Sequence, residues 1–135
     1  MKCESLLLNR RFIITCQMPK IVSVSGITLR VGSMPRSLHF YQKVLGMKLV
    51  YGDADAAFCS FDANGTYLNL ELSTHLDREW GRIIFYCDDV DKMYEHLKSN
   101  DYQPPMPKDA PWGERFFHVK EPDGHELSMA QRLRA

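Results

Sequence analysis

A pattern of predicted secondary structure that occurs twice is the strongest constraint on the fold. The alternating segment Ile27–Val31 is typical of a half-buried strand, and Ser33 after it can cap a helix. The pattern returns 56 residues later, where the strand-like segment Ile83–Cys87 is followed by Asp88 and Asp89, which can supply the helix cap. The chain therefore contains a duplicated strand-helix unit.

Three further strand-like segments follow each predicted helix. The Asn64-Gly65 pair is a strong hairpin signal in the first half, and Pro122-Asp123-Gly124 is the corresponding turn in the second half. The segments are Lys48–Tyr51, Ala57–Phe61 and Tyr67–Ser73 in the first half, and in the second a weak strand near Tyr102, Arg115–Val119 and Glu126–Gln131, with a proline-rich loop through residues 104–111.

Both halves thus follow the order β-α-β-β-β, which predicts an α+β fold made of two modules. We place the first module at residues 21–79 and the second at residues 80–135, together forming one domain. Residues 1–20 precede the first module. We expect them to be an N-terminal extension, either weakly structured or an added strand.

Charge and cysteine content limit the partners. Lys and Arg total 17, Asp and Glu total 17, and the formal net charge is +0, so no positive field would attract nucleic acid or a membrane surface. The apolar run Leu6–Leu8 is too short for a signal peptide. The four cysteines form no C-x-x-C pair, which favours reduced thiols and a cytoplasmic location.

Several motifs accompany the repeat: Phe40-Tyr41 and Leu45-Gly46 in the first helix, and Glu121-Pro122-Asp123-Gly124 before the last strand. With these motifs, the sequence from about Ser25 to Leu133 resembles the vicinal oxygen chelate superfamily. That superfamily includes glyoxalase I, bleomycin-resistance proteins, fosfomycin-resistance enzymes and extradiol dioxygenases. The resemblance implies a curved mixed sheet around an open cup that holds a small molecule, and a homodimer.

The resemblance also implies a set of ligand positions for one divalent metal, on the first and last strands of each module. These positions fall on Gly26, Glu71, Arg82 and Ser128. Only Glu71 is a plausible metal ligand, because glycine has no side chain, arginine is a permanent cation and serine is a weak neutral donor. We therefore expect no metal and no cofactor, with a divalent metal held by Glu71 and His118 as the alternative.

Arg82 and Glu71 have complementary charges at neighbouring ligand positions. We expect them to pair, so that Glu71 orients the guanidinium of Arg82 toward an anionic or carbonyl group of a ligand. The alternative is an ion pair with a structural role alone. On the strand of Glu71, alternation brings Asn69 to the same face.

His118 is the residue best suited to chemistry. Alternation along residues 115–119 sends Phe117 and Val119 to the core and turns Phe116 and His118 toward the cup. His118 could act as a general base or as a hydrogen-bond partner of a ligand, or it could be a structural residue. Trp112, in a loop before this strand, is suited to cover the cavity mouth. We expect the other histidines to be surface or capping residues: His39, His75, His96 and His125.

Our leading hypothesis is a metal-independent binding protein that holds an organic ligand in the cup. His118 and Glu71 are the candidate catalytic residues, if there is catalysis. The candidate ligand-binding residues are Arg82, Ser128, Phe116, Asn69 and Trp112. Two alternatives remain open: a metal-dependent lyase or dioxygenase, and a metal-free isomerase in which His118 is the base and Arg82 stabilises an oxyanion.

Overall fold

A computed structural model describes residues 2–8, 11–17 and 19–133 of the chain. The elements within these residues are β1 (Lys2–Leu8), β2 (Arg11–Gln17), β3 (Gly26–Val31), α1 (Met34–Leu38), a π-helical turn (His39–Val44), β4 (Lys48–Tyr51), β5 (Phe58–Asp62), β6 (Tyr67–Leu72), β7 (Arg82–Tyr86), α2 (Val90–Ser99), β8 (Lys108–Ala110), β9 (Glu114–Lys120) and β10 (Glu126–Arg132).

The two halves of the chain form two four-stranded mixed sheets. The first sheet has the order β3-β6-β5-β4 and the second has the corresponding order β7-β10-β9-β8. In each sheet the first strand of the half pairs in parallel with the last, and the remaining pairs are antiparallel. The predicted α+β fold with two β-α-β-β-β modules is confirmed.

The N-terminal extension contains two antiparallel strands, β1 and β2, that pair with each other. We expected residues 1–20 to be weakly structured or an added strand; β1 and β2 form a separate two-stranded sheet, and the role of these residues as an extension stays a prediction. Residues 1, 9, 10 and 18 lie outside the described residues. The expectation of reduced thiols holds for Cys59 and Cys87, which are free, whereas the side chains of Cys3 and Cys16 lie outside the described part.

Both helices begin at the residues that the sequence predicts. The Ser33 hydroxyl accepts a hydrogen bond from the backbone N–H of Arg36, and the Asp89 carboxylate accepts one from the backbone N–H of Lys92. The first helix departs from the expected α geometry at its end. Its last turn is π-helical, and the Leu45 N–H donates to the carbonyl of Phe40 five residues earlier at 2.8 Å.

The weak strand expected near Tyr102 is absent from the second sheet among the described residues, and β8 forms instead inside the predicted loop. The backbone N–H of Tyr102 donates to the carbonyl of Leu97 and so completes the end of α2. Pro104 and Pro105 after it have no N–H to give to a sheet. The Tyr102 ring packs on Phe40 with centroids 5.2 Å apart.

One hydrophobic core includes residues from both halves. On β9 and β10, the odd-numbered side chains Phe117, Val119, Leu127 and Met129 are buried in it, as predicted. Their even-numbered neighbours consequently project from the opposite face of the second sheet.

The turn between β9 and β10 is fixed to the first helix by two buried carboxylates. Glu121 accepts hydrogen bonds from the Tyr41 hydroxyl at 3.0 Å and from the backbone N–H of Asp123 at 2.6 Å. Asp123 accepts from the Gly32 N–H at 3.1 Å and from the Arg36 guanidinium at 2.6 Å. These bonds link the two halves and set the position of β9 and β10.

Neither helix in the described residues has the length and apolar character needed to span a bilayer. The cytoplasmic location expected from the cysteine pattern stays a prediction.

Candidate functional site

The candidate site lies on the side of the second sheet that faces away from the core. We call this side, formed by the even-numbered side chains of β7, β9 and β10, the open face. The register of the strands places Ile84, Ser128 and His118 in one row across the sheet. Arg82, Glu126 and Lys120 form the neighbouring row.

Arg82 pairs with Glu126, its register partner on β10. The guanidinium Nε donates to the Glu126 carboxylate at 2.6 Å, and the Arg82 side chain is 46% exposed. This hydrogen bond is the main reason that the pKa of Glu126 lies below its ordinary value. The expected pairing of Arg82 with Glu71 is therefore wrong, because Glu126 stands opposite Arg82 within the same sheet.

Glu71 and Asn69 lie on the first sheet with other partners. The Glu71 carboxylate is 3.6 Å from Nε of Arg30, which is its register partner on β3. The Asn69 carbonyl oxygen accepts from the Ser60 hydroxyl at 2.6 Å, and its amide donates to the Thr28 hydroxyl at 3.2 Å. These two predicted site residues thus belong to the first sheet, whereas Arg82 and His118 belong to the second.

His118 occupies the open face, as predicted, and its Nδ1 atom is buried without a hydrogen-bond partner in residues 19–133. Burial lowers the pKa of His118, and the nearby charge of Arg82 lowers it further, while the Glu126 carboxylate acts in the opposite direction. The imidazole is therefore neutral near pH 7. A neutral ring with an unpartnered nitrogen can accept a proton or form a hydrogen bond with a ligand.

An aromatic row continues from His118 along the strand. The Phe116 ring centroid lies 5.2 Å from that of His118 and 5.7 Å from that of Trp112. The Lys108 ammonium lies 5.5 Å from the Phe116 centroid. Trp112 is in the loop before β9 and is 67% exposed, and its contact with Phe116 places it beside the open face. The predicted grouping of Trp112, Phe116 and His118 is present.

A pocket of about 380 Å³ adjoins this row. Its walls come from His118, Lys120 and Glu126 on the sheet and from Tyr102, Pro104 and Pro105 in the loop after α2. Sequence reasoning missed Glu126 and Lys120 as site residues, although the alternation that places Ser128 and His118 on this face also includes them. Ser128 itself is 4% exposed.

The residues at the expected metal positions do not fit a divalent cation. A β-carbon added to Gly26 would lie 3.1 Å from the Asn69 amide nitrogen, so an amide borders this position. Arg82 places a positive charge at a second of the expected metal positions. Within residues 19–133, no three side chains of His, Cys, Asp or Glu lie together in an arrangement that could hold a metal ion. One carboxylate beside these groups is a poor donor set.

His125 differs from our expectation of a surface or capping residue. It is 1% exposed and lies between the two halves of the chain. Its Nδ1 accepts from the Trp80 indole N–H at 3.1 Å, and its Nε2 lies 2.7 Å from the carbonyl of Arg30. Because the indole can only donate and the carbonyl can only accept, these bonds select the neutral tautomer with the proton on Nε2.

The comparisons with known proteins agree on one superfamily. The sequence model described as "Glyoxalase/Bleomycin resistance protein/Dioxygenase superfamily" matches residues 23–129. A lactoylglutathione lyase from Neisseria meningitidis is 31% identical over 120 residues, which cover 77% of this chain and 86% of that enzyme. Lactoylglutathione lyase GLX1 from Arabidopsis thaliana is 28% identical over 122 residues, covering 78% of this chain and 43% of that protein.

The crystal structure of a glyoxalase family protein from Bacillus anthracis has the same fold. It aligns with a TM-score of 0.74 over 86% of this chain and 99% of that chain, at 13% sequence identity.

Proposed function

Since the chain belongs to the Glyoxalase/Bleomycin resistance protein/Dioxygenase superfamily, we propose that it binds a small organic molecule that carries an anionic or carbonyl group. The binding is independent of a divalent metal. The ligand occupies the pocket beside His118 and extends over the open face of the second sheet.

The observation that carries this proposal is that His118 lines the pocket and that its buried Nδ1 has no hydrogen-bond partner among residues 19–133. A buried polar atom without a partner costs free energy, and a ligand group that bonds to it removes this cost. The volume of about 380 Å³ is within the range of small-molecule sites. Its lining of prolines and an aromatic ring with a few polar groups is also typical of such sites.

The polar groups of the site suit a ligand with negative charge or a polarised oxygen. Arg82 and Lys120 are permanent or near-permanent cations, and His118 supplies a neutral ring nitrogen between them and the aromatic row. Charged donors of this kind form strong hydrogen bonds with carboxylate oxygens, so they can recognise such a ligand without a metal.

A metal-free enzyme is the second candidate. The lowered pKa of His118 keeps its imidazole neutral near pH 7 and hence able to take up a proton, which is the property required of a general base. In such an enzyme Arg82 would stabilise the negative charge that develops on the substrate oxygen.

We propose that the protein acts as a homodimer, in line with the expectation from the sequence. Apolar side chains that include Tyr67, Ile84 and Tyr86 are exposed and line a second pocket of about 540 Å³ at the junction of the two sheets. A second copy that covers them would bury this apolar surface. Light scattering on the purified chain distinguishes a dimer from a monomer.

A screen with matched variants tests the proposed function. Wild-type protein is treated with EDTA, dialysed, and screened by thermal shift against small carboxylates, ketones and aldehydes, and each hit is measured by titration calorimetry. We expect hits whose affinity is unchanged by EDTA and falls in His118→Gln by about 1–2 kcal/mol, as for one hydrogen bond. Arg115→Gln, on the helix-facing side of β9, is the control and should bind normally.

Two outcomes separate the alternatives. If a hit is also turned over and His118→Gln lowers the rate by roughly 10²–10⁴-fold with little effect on binding, His118 is a general base and the protein is an enzyme. If hits bind only after a divalent metal is added back, the proposal of metal-independent binding is wrong.

A further inference from the structure

We propose that the ligand is an aromatic carboxylate, with its carboxylate bound by the two terminal nitrogens of Arg82 and its ring lying along Trp112, Phe116 and His118. This inference rests on the proposed function and concerns the part of the ligand that extends from the pocket over the open face, where Arg82, Phe116 and Trp112 lie outside the lining of the pocket. It adds the chemical class of the ligand and its orientation on the open face.

The way Arg82 is held leaves one edge of its guanidinium available. Its Nε donates to the Glu126 carboxylate at 2.6 Å, and this hydrogen bond holds the orientation of the guanidinium. Among residues 19–133, neither terminal nitrogen has a hydrogen-bond partner. The two terminal nitrogens present parallel N–H groups in a fixed fork, which matches the two oxygens of a carboxylate.

The charges in the row of Arg82 favour a single negative charge on the ligand. Glu126 stands between Arg82 and Lys120 in the register. It pairs with Arg82, and no carboxylate in residues 19–133 lies within ion-pair distance of Lys120. The row thus contains two cations and one anion, and a monocarboxylate would neutralise it.

The aromatic row sets the position of the ring. Along the strand direction, His118 is one row (about 7 Å) and Phe116 two rows (about 13 Å) from Arg82, and β9 lies two strands, about 10 Å, across the sheet from β7. The Arg82 side chain covers part of this width, because its Nε reaches Glu126 on the intervening strand β10. A ring attached directly to a carboxylate at Arg82 therefore meets His118 first, and a second fused ring extends toward Phe116. The Phe116 and Trp112 rings, 5.7 Å apart, offer flat apolar surface for stacking.

The test uses 2-naphthoate as the probe, with binding followed by the quenching of tryptophan fluorescence and by calorimetry. The matched compounds are 2-naphthamide, which has the same shape without the charge, 2-naphthyl phosphate, and hexanoate, which has the carboxylate without the rings. We expect 2-naphthoate to bind at least about tenfold more tightly than 2-naphthamide, as a charged two-point hydrogen bond predicts.

The variants separate the fork from the ring surface. Arg82→Gln should abolish the preference for 2-naphthoate over the amide, and Arg82→Lys should restore little of it, because an ammonium cannot form the fork. Phe116→Leu should weaken 2-naphthoate about fivefold or more and leave hexanoate unchanged. Arg115→Gln removes the same charge from the other side of β9 and should have no effect. Thermal melts confirm that each variant is folded.

Equal binding of acid and amide, no binding of 2-naphthoate at millimolar concentration, or full rescue by Arg82→Lys would overturn the inference. Tighter binding of 2-naphthyl phosphate would also overturn it and assign the row to phosphates. The failure is distinguishable from failure of the proposed function. A metal-independent neutral carbonyl ligand found in the screen above would overturn the carboxylate inference alone.

Discussion

The hydrogen bond from the Tyr41 hydroxyl to Glu121 offers a sharp test of how the two halves are joined. Tyr41 is on the first helix and Glu121 begins the turn that connects β9, which carries His118, to β10, which carries Glu126. Both Tyr41 and Glu121 are buried, and the oxygen atoms are 3.0 Å apart. We predict that Tyr41→Phe, which removes a single oxygen atom, destabilises the whole domain.

The expected loss follows from the surroundings of the carboxylate. Glu121 keeps the two backbone N–H groups of Asp123 and His125 in Tyr41→Phe, so it is not left bare. The lost bond is one between a hydroxyl and an ionisable acceptor in a dry environment, which contributes about 1.5–3 kcal/mol. The ring itself stays in place, so no cavity larger than the missing oxygen is created. We expect the free energy of unfolding to fall by about 2 kcal/mol.

Urea denaturation at pH 7, followed by circular dichroism, measures this loss. Tyr51→Phe is the matched control, because the Tyr51 side chain is 64% exposed and its hydroxyl has no partner in residues 19–133. The control should stay within about 0.5 kcal/mol of wild type. If Tyr41→Phe is as stable as Tyr51→Phe, the buried network does not hold the turn against the first helix in the way that we describe.

Further predictions concern other buried or constrained positions. Burial raises the pKa of Glu121, so ionising this carboxyl is harder in the folded protein than in the unfolded chain. The wild-type protein should therefore lose stability relative to Glu121→Gln as the pH rises from about 4 to 7, through and above the ordinary pKa of glutamate. Urea titrations of both proteins at the two pH values measure this difference. An unchanged difference between the two proteins would contradict this. Gly52→Ala should lower the free energy of unfolding by about 2 kcal/mol or more, because the φ angle of Gly52 is +90° and the new β-carbon would lie 2.5 Å from the Phe58 carbonyl oxygen. A variant with the wild-type melting temperature would argue against that geometry. Trp80→Phe leaves Nδ1 of His125 without a donor and should cost about 1 kcal/mol, measured by urea denaturation. No change there would mean that water replaces the indole.

The repeat made most of the fold predictable from sequence. Strand alternation is a local property, and it correctly assigned Phe117 and Val119 to the core and Phe116 and His118 to the open face. The same alternation, continued two residues back from Leu127, would have placed His125 in the core. Its position directly after the turn glycine suggested exposure, but Trp80 and the Arg30 carbonyl, both distant in sequence, bury it.

The partner of Arg82 could not be read from the sequence. Glu71 and Glu126 are equivalent in charge and chemistry, and only strand order decides between them. The parallel pairing of β7 with β10 puts Glu126 directly opposite Arg82, whereas Glu71 is opposite Arg30 in the other sheet. A contact set by register across a sheet depends on tertiary structure, and helix or strand propensity contains no information about it.

The central claim is that ligand binding does not depend on a metal, and the metal content of the purified protein tests it most directly. The chain is purified without chelator, dialysed against metal-free buffer, and analysed by mass spectrometry for Zn, Ni, Mn and Fe alongside Glu71→Ala. Because Gly26, Arg82 and Ser128 supply no strong metal ligand, we predict no stoichiometric metal in either protein. We also predict the same 2-naphthoate affinity before and after EDTA treatment. One metal ion per chain that disappears in Glu71→Ala, together with loss of ligand binding, would contradict the account.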